Sequence, residues 1–341
     1  MYKIAIIGAG ITGLTIASQL SEYAECTVFE KSRGKGGRMS TRRADNYHFD
    51  HGAQYFVAKT KAFQQFLKGA LETGAIEQWN ARFIEFTSSD VSNERTWDDS
   101  FKHYVGTPTM SALAHFIAKG LIVENNVHID SVTLNPLHNP AIPNNEKQWK
   151  LNSNSKMDLG SYDWVISTCP VEQTRELLPV NFLYSTQLQE INMQACFAVM
   201  LGFKQALPLN FQAALVRDAD ISWIAVNSDK PQRPDGYSLL IQSNNEWAEK
   251  HQNKDIAWVQ DHLIKETERV INCSLSNPDY SDVHRWLYAN TVKQKSNTGD
   301  VFLDIENKLG AAGDWCGNAR VESAFTHAMK LVNELKALLI K

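Results

Sequence analysis

The sequence has few cysteines and no long apolar segment. Its five cysteines are Cys26, Cys169, Cys196, Cys273 and Cys316. They include no Cys-x-x-Cys pair, and their odd number is more typical of reduced thiols than of a disulfide framework. No uninterrupted apolar stretch of about 20 residues occurs, so no membrane-spanning helix is predicted. Residues 1–20 lack a small-residue cleavage site, which favours a folded strand and turn over a signal peptide. We therefore expect a cytoplasmic protein with no membrane partner.

The sequence also lacks an excess of basic residues. It has 34 Lys and Arg against 38 Asp and Glu, a formal net charge of -4. This balance provides no global attraction to nucleic acid, which we exclude as a partner. Apolar residues, in contrast, make up 43% of the 341 residues. That amount of apolar material can bury more than one core, so two domains are expected. We assign no metal ligands, and the sequence identifies no protein partner.

The N-terminal pattern predicts a βαβ unit of a Rossmann-type dinucleotide-binding fold. A short apolar run at 3–7 predicts a buried strand, and the periodic segment 14–22 predicts a helix. The segment 26–30 predicts a second strand. Between the first strand and the helix lies a Gly-x-Gly-x-x-Gly turn at 8–13. Strand, turn, helix and strand in this order are the context that such a turn needs before it indicates dinucleotide binding.

Each glycine of this turn has a separate physical role. Gly8 allows a tight turn, Gly10 lets the backbone approach a pyrophosphate, and Gly13 permits close packing of the helix on the sheet. The pyrophosphate would face the helix N-terminal amides. Glu30, at the end of the second strand, is expected to accept hydrogen bonds from the adenosine ribose. The predicted cofactor-binding residues in this part of the chain are Gly8, Gly10, Ile11, Thr12, Gly13, Glu30 and Lys31.

A basic, glycine-rich loop follows the second strand. Six basic residues lie between positions 31 and 43, and three glycines lie between 34 and 37. A solvated surface loop and a nucleic-acid patch are the alternatives, but a single short cluster on an acidic chain argues against the latter. The glycines let main-chain amides approach a phosphate while Arg38 supplies charge-assisted hydrogen bonds. We therefore predict that Arg38 contacts the cofactor pyrophosphate.

A small-residue turn amid aromatic residues occupies 49–56. Such a segment suits a backbone that passes close to a flat ring, here the isoalloxazine of a flavin. His51 is either a turn histidine bonded to backbone or a residue at the flavin edge. Gln54 is expected to contact the flavin through its amide.

The chain is expected to divide into two interleaved domains. We predict a cofactor domain of residues 1–59, 105–171 and 301–341, and a substrate domain of residues 60–104 and 172–300. A strand at 127–134 returns to the cofactor domain, where Val132 would face the adenine. Most tryptophans of the second domain are expected to be core or interface residues. They are Trp79, Trp97, Trp223, Trp247, Trp258 and Trp286.

The C-terminal segment predicts a further part of the flavin site. A short strand from 308 stops at Gly313 and Asp314, and Arg320 and Val321 open an amphipathic helix. The positive N-terminus of this helix would stabilise an anion developing at flavin N1 and O2. Asp314 is expected to bind a ribitol hydroxyl or a phosphate-bound water.

Taken together, these motifs resemble those of bacterial renalases, in the wider flavin amine oxidase superfamily. The resemblance runs from end to end and rests on residues 8–14, 30–40, 52–56, 104–111, 284–289, 313–316 and 320–322. It implies a p-hydroxybenzoate-hydroxylase-like fold, α/β plus α+β, with non-covalent FAD and a mixed-sheet substrate domain. It also implies oxidation of 2- and 6-dihydro isomers of NAD(P) to NAD(P)+, with molecular oxygen reduced to H2O2. The sequence departs from the family pattern at Thr109 and at 317–319, which are expected at the rim of the pocket.

The implied chemistry needs no acid, base or nucleophile. A dihydropyridine nitrogen supplies its lone pair as hydride leaves carbon, and the product ring becomes aromatic. Catalysis would then consist of positioning the ring in a dry aromatic cleft, so no catalytic residue is assigned. His51, Tyr55, Arg285 and Trp286 are the predicted substrate contacts. The alternative for 284–288 is a strand with structural aromatics.

Three other functions remain open at the sequence level. An amine oxidase would present an aromatic cage at the start of the last helix, but Arg320 occupies that position and would repel an ammonium. A polyene desaturase would need an apolar membrane-binding segment, which is not evident. An FAD-binding redox sensor without turnover is the third.

Overall fold

The computed structural model describes residues 1–135, 147–156, 158–292 and 301–340. The chain forms two compact units. Unit 1 comprises Met1–Gly37, Ala114–Met193 and Thr291–Lys341, and unit 2 comprises Arg38–Leu113 and Gln194–Asn290. None of the helices in these described ranges is long and apolar enough to cross a membrane. The five cysteines are free thiols.

The helices are α1 Ile11–Leu20, α2 Lys61–Glu72, α3 Ala112–Ile117, α4 Val171–Leu177, α5 Ser185–Gln189, α6 Asn245–His251, α7 Ile256–Ile271 and α8 Val321–Leu339. Short 3-10 turns span Asn227–Asp229 and Asp314–Cys316. The strands are β1 Tyr2–Ile7, β2 Ala24–Glu30, β3 Arg42–Ala44, β4 Tyr47–Phe49, β5 Ile76–Gln78, β6 Arg82–Thr87, β7 Asp90–Thr96, β8 Tyr104–Gly106, β9 Ile122–Asn125, β10 Ser131–Leu134, β11 Trp149–Asn152, β12 Ser161–Tyr162, β13 Trp164–Ser167, β14 Met193–Phe203, β15 Ala213–Arg217, β16 Ile221–Val226, β17 Tyr237–Ser243, β18 Tyr280–Thr291, β19 Phe302–Asp304 and β20 Leu309–Ala311.

Unit 1 is built on a largely parallel sheet in the order β19-β20-β13-β1-β2-β9. β1 pairs in parallel with both β2 and β13, and only β19 runs antiparallel to its neighbour β20 among the described strands. The apolar run of β1 is buried from Ile4 to Ile7, as expected for a central parallel strand covered on both faces. α1 packs against α8, where Thr12 Oγ1 donates to the Ala324 carbonyl at 3.3 Å. The predicted βαβ unit is therefore confirmed.

Unit 2 contains a mixed sheet in the order β18-β14-β17-β16-β15-β6-β7. β15 pairs in parallel with β6, whereas the pairs β14–β17, β17–β16 and β16–β15 are antiparallel. The long strand β14 is buried along most of its length. α7 packs on one face of this sheet through Val259, Leu263 and Val270. Asp255 caps α7 by accepting from two backbone amides of its first turn. The sequence prediction of an α/β unit combined with a mixed-sheet unit is confirmed.

The unit boundaries differ from the sequence-based ones at all four junctions. Residues 105–113, assigned from sequence to the cofactor domain, lie in unit 2, and residues 291–292, assigned to the substrate domain, lie in unit 1. Residues 38–59, assigned from sequence to the cofactor domain, lie in unit 2. The reason is that the β3–β4 hairpin buries Tyr47 and Phe49 against the sheet side chains Ala198, Met200 and Leu240. Residues 172–193, assigned to the substrate domain, lie in unit 1. There α4 is tied to β13 by the hydrogen bond between Thr174 and Ser167, 2.8 Å. The expected boundary at residue 300 lies outside the described residues.

Candidate functional site

The glycine turn of unit 1 is tightly packed against Thr168, the residue that follows β13. Gly8 has φ +109°, a conformation open to glycine. A Cβ at Gly13 would collide with the Gly8 carbonyl oxygen and lie 2.8 Å from Thr168 Oγ1. That hydroxyl donates to the carbonyls of Ile7 and Gly8, 3.0 Å each. The turn thus holds α1 against β1 so closely that a side chain at Gly13 cannot be accommodated.

Gly10 differs from its neighbours because it faces open space. It is the N-cap of α1 with φ −74° and ψ 177°, and no side chain caps the helix. A Cβ there would meet no atom of the described residues within 4 Å. The first amides of a helix have no intrahelical acceptor, and their partial positive charge favours an anion. The space beside Gly10 is therefore a cradle that suits a phosphate and that a side chain would fill.

Glu30 is buried at the end of β2 and holds two loops. Its Oε2 accepts from the Ala9 amide at 2.9 Å, and its Oε1 accepts from the Ser32 amide at 2.8 Å. Each carboxylate oxygen retains a further lone pair, so the predicted ribose contact stays a prediction. The Gly36 amide also donates to the Ala9 carbonyl at 2.9 Å, which brings the basic loop to the glycine turn. Lys31 is exposed, with Nζ 3.3 Å from Gln173 Oε1.

The C-terminal part of unit 1 is organised around Asp314. Its carbonyl accepts from the Gly317 amide at 3.0 Å, the Ala319 amide at 3.2 Å and Ser323 Oγ at 3.2 Å. Arg320 is exposed and is the N-cap of α8, which has no side-chain cap, and Val321 begins the helix. Val132, the predicted adenine contact, is buried in β10. Asp314 and the start of α8 thus form one compact turn whose amides have no side-chain cap.

In unit 2, Arg38 is tied to two other segments. Its Nη1 donates to the Ala289 carbonyl at 3.0 Å, and its own carbonyl accepts from the Ala53 amide at 2.8 Å. A Cβ at Gly52 would collide with that carbonyl. The predicted contact between the Arg38 guanidinium and the cofactor phosphate stays a prediction.

Gln54 has a fully engaged amide group. Its Nε2 donates to the carbonyls of Asp50 and Gly52, and its Oε1 accepts from Lys230 Nζ at 3.3 Å. Both amide hydrogens are therefore used within unit 2. Only the second lone pair of Oε1 remains for the predicted contact between this amide and the flavin.

A fully buried ion network surrounds Asp50. Asp50 Oδ2 lies 2.7 Å from Arg233 Nη2 and 3.0 Å from Lys230 Nζ, and all three side chains have no exposed area. Thr41 donates to Asp50 Oδ1 at 2.6 Å. The two cations hold the pKa of Asp50 well below its usual range despite its burial. With both cations charged, the network has one positive charge in excess, and Arg233 Nε has no hydrogen-bond partner among the described residues.

Lys230 provides a pH test of this network. Burial lowers the pKa of Lys230 from 10.5 to about 8, although Asp50 opposes the change. Between these values the unfolded chain binds more protons than the folded chain, so stability rises with pH in that window. We expect the free energy of unfolding of the wild type to rise relative to Lys230→Met between about pH 8 and about pH 10.5, by at most roughly 1.4 kcal/mol per pH unit. Urea unfolding at a series of pH values measures this difference in stability. Parallel pH profiles for the wild type and Lys230→Met would contradict the prediction.

His51 stacks against Trp286 in unit 2. Their ring centroids are 5.3 Å apart at 22°, and Trp286 Nε1 donates to the His51 carbonyl at 2.8 Å. His284 lies 4.8 Å from His51 and 4.3 Å from Trp286. Burial, with a second contribution from His284, lowers the pKa of His51 to about 4. The imidazole is therefore neutral near pH 7.

The other two predicted substrate contacts lie elsewhere. Arg285 is exposed and donates to the Gln252 carbonyl, since alternate side chains of β18 point to opposite faces. Tyr55 packs in a second group of rings, which we call the Trp97 cluster: Tyr55, Trp79, Trp97, His103 and Trp223. The structure therefore brings together His51 and Trp286, but not Arg285 or Tyr55 with them.

Two groups of residues were missed by the sequence analysis. Lys230 and Arg233 lie about 180 residues from Asp50, in a polar segment rich in proline that carries no sign of burial. His103 stacks on Trp97 with centroids 3.7 Å apart, although nothing near it in sequence distinguishes it from a surface histidine. The density of tryptophan in the second domain was the one available signal, and it indicated only a core.

Comparisons with known proteins agree with this fold. A family model for an NAD(P)-binding Rossmann-like domain matches residues 6–70. The 4,4'-diapophytoene desaturase (4,4'-diaponeurosporene-forming) of Staphylococcus aureus strain Newman is 49% identical over 51 residues, which are 15% of this chain. The match covers only 10% of that desaturase.

Solved structures match along almost the whole chain at low identity. A protein from Exiguobacterium sp. 255-15, assigned as a protoporphyrinogen oxidase, has a TM-score of 0.78 at 12% identity, covering 98% of this chain and 99% of that one. A putrescine oxidase double mutant has a TM-score of 0.70 at 11% identity, and the wild type bound to putrescine 0.69 at 10%, with the same coverage. The chain therefore has a Rossmann-like dinucleotide-binding segment within the fold of these oxidase structures.

Proposed function

We propose that the protein is an FAD-dependent oxidase that takes a hydride from 2- and 6-dihydroNAD(P) and yields NAD(P)+ and H2O2. The observation that carries the proposal is the uncapped glycine turn of unit 1, whose open space suits a dinucleotide pyrophosphate. The neutral, stacked rings of unit 2 support an uncharged flat substrate. FAD, when bound, accepts two electrons as hydride and passes them to molecular oxygen. The residues of the chain itself bind the cofactor and the substrate, orient them and exclude water.

The residues of unit 1 fit a dinucleotide. The α1 amides and the open space beside Gly10 suit the pyrophosphate, which bears the charge that a helix N-terminus favours. Glu30 keeps lone pairs for ribose hydroxyls while its bonds to Ala9 and Ser32 hold the turn in shape. A carboxylate at this place disfavours a 2′-phosphate. Attachment is non-covalent in this proposal, as the family resemblance implies.

The residues of unit 2 suit an uncharged flat substrate. His51 is neutral and stacked on Trp286, so these rings present aromatic surface and no charge. A dihydropyridine that loses hydride becomes aromatic without transferring a proton, so it does not require a buried base. Orientation and exclusion of water are then the tasks left to the protein.

An amine oxidase is the second candidate, favoured by the fold shared with putrescine oxidase. Against it stands the excess positive charge of the Asp50 network and the exposed guanidinium of Arg320, which disfavour a protonated amine. The support for a polyene desaturase is a match that covers a tenth of one such enzyme. A redox sensor, the remaining alternative, would bind FAD without turnover.

The test is anaerobic stopped-flow bleaching of the purified flavoprotein near 450 nm. We expect fast bleaching by 6-dihydroNAD and 2-dihydroNAD, slow or no bleaching by ordinary 4-dihydroNADH, and peroxide when air is admitted. Bleaching by putrescine or another amine alone would replace the proposal with amine oxidation. Bleaching by none of these donors would remove the substrate assignment and leave FAD binding to be judged from the absorption spectrum.

A further inference from the structure

The Trp97 cluster contains buried nitrogen atoms without hydrogen-bond partners. They are Nε1 of Trp79, Trp97 and Trp223 and Nδ1 of His103, each unpaired among the described residues. Four such atoms in one cluster are unusual, because most buried polar atoms in proteins are paired. An unpaired buried donor costs about 1–3 kcal/mol, so a set of them implies a partner or a function.

Three of the six tryptophans outside the cluster show the usual arrangement. Trp149 Nε1 donates to the Asn307 carbonyl at 2.8 Å, Trp286 to His51 at 2.8 Å and Trp315 to Cys169 at 2.9 Å. Each of these indoles ends on a backbone oxygen of its own unit. The unpaired nitrogens therefore belong to one place in unit 2 and are not a general feature of the tryptophans.

The unpaired atoms are close enough together to serve one ligand. The rings of Trp97 and His103 are stacked 3.7 Å apart, Trp79 meets Trp97 edge-on at 5.4 Å, and Trp223 lies 6.3 Å from Trp97. Tyr55 contacts Trp97, His103 and Trp223 at 4.9–5.6 Å. Tyr55 is half-buried, whereas the other four rings are at most 7% exposed. Access to the nitrogens is therefore expected past Tyr55.

The chemistry of the cluster selects its ligand. Indole nitrogens only donate, so three of the four atoms require an acceptor such as a carbonyl or carboxamide oxygen. Two cations border the rings: Lys230 lies 5.2 Å from the Trp79 ring and Arg95 lies 4.5 Å from the Phe83 ring, which stacks on Trp97. Each cation is paired with a carboxylate, Lys230 with Asp50 and Arg95 with Glu85, so the choice of an oxygen ligand rests on the indole N–H donors.

We propose that the Trp97 cluster is the subsite that receives the planar, carboxamide-bearing ring of the substrate, with its oxygen accepting from the N–H groups of Trp97 and Trp223. The His51–Trp286 pair then contacts another part of the dinucleotide substrate. This assignment rests on the proposed function and extends it, because it places substrate recognition at Trp97, His103 and Trp223. Admission of the ring requires Tyr55 to move, since the nitrogens are covered in the structure.

The experiment uses Trp97→Phe and Trp223→Phe in the holoprotein, with Trp149→Phe as the matched control. Nicotinamide and NAD+ are the probes, and isothermal titration calorimetry gives their affinity independently of tryptophan fluorescence. We expect each cluster variant to bind the probes about tenfold more weakly, the effect of one hydrogen bond. Trp149→Phe should bind them as the wild type does. Trp149→Phe should lower the free energy of unfolding more than the cluster variants do, because it alone leaves a backbone carbonyl, that of Asn307, without its indole donor.

Two outcomes overturn the subsite. One is unchanged probe affinity in both cluster variants, and the other is no binding of either probe to the wild type. The failure of the proposed function is distinguishable from both. If dihydronicotinamides bleach the flavin and their KM is unchanged in the cluster variants, the function stands and the subsite falls. If nothing bleaches the flavin but the cluster variants lose nicotinamide affinity, the subsite stands and the function falls.

Discussion

Asp50→Asn is expected to lower the free energy of unfolding by roughly 3–5 kcal/mol, the effect of removing one partner from a buried ion pair. The asparagine matches the carboxylate in size, so packing is preserved and the change is one of charge. It leaves Lys230 and Arg233 in a fully buried site with no counter-charge. Urea unfolding at neutral pH, followed by circular dichroism, measures the loss.

A matched control separates charge from burial. Asp304 is buried in unit 1, where it accepts from the amides of Leu183 and Asn307 and from Asn307 Nδ2. The donors in these hydrogen bonds are uncharged, so Asp304→Asn should lower the free energy of unfolding by less than Asp50→Asn does. In the Asp50→Asn background, Lys230→Met should restore part of the stability because it removes one uncompensated cation. If Asp50→Asn lowers the free energy of unfolding by less than about 1 kcal/mol, the two buried cations do not require this carboxylate as a counter-charge.

The predictions that succeeded depend on residues close in sequence. β1, α1 and β2 follow from an apolar run, a glycine turn and helical periodicity within 30 residues, and all three form as expected. The period of two along β18 likewise explains why His284 and Trp286 share a face while Arg285 faces solvent. Local patterns carry this information because they reflect the geometry of a single element.

The parts that could not be predicted depend on distant contacts. Residues 38–59 follow the basic loop directly, yet Tyr47 and Phe49 pack on strands about 150 residues later in the chain. Neither the burial of Lys230 nor the absence of partners for Trp97 has a local signature, since each depends on what the fold places around the side chain. Motifs therefore located the dinucleotide turn, whereas the charges and rings of unit 2 required coordinates.

Gly10→Val is expected to abolish FAD binding while leaving the apoprotein folded. The backbone at Gly10 is extended, which valine adopts readily, and its Cβ would enter open space. A poorer N-cap should therefore lower stability by only about 1 kcal/mol. The added side chain would, however, occupy the place proposed for the pyrophosphate and block the α1 amides. Loss of two charge-assisted hydrogen bonds corresponds to roughly a 100-fold weaker affinity or more.

The measurement compares FAD affinity by calorimetry with thermal unfolding of the apoprotein. Gly13→Ala should show the opposite pattern to Gly10→Val, with lowered apoprotein stability, since its Cβ collides with the Gly8 carbonyl. A Gly10→Val protein that purifies yellow with wild-type affinity would place the flavin away from this turn, and the roles proposed for Glu30 and the α1 amides would fall with it.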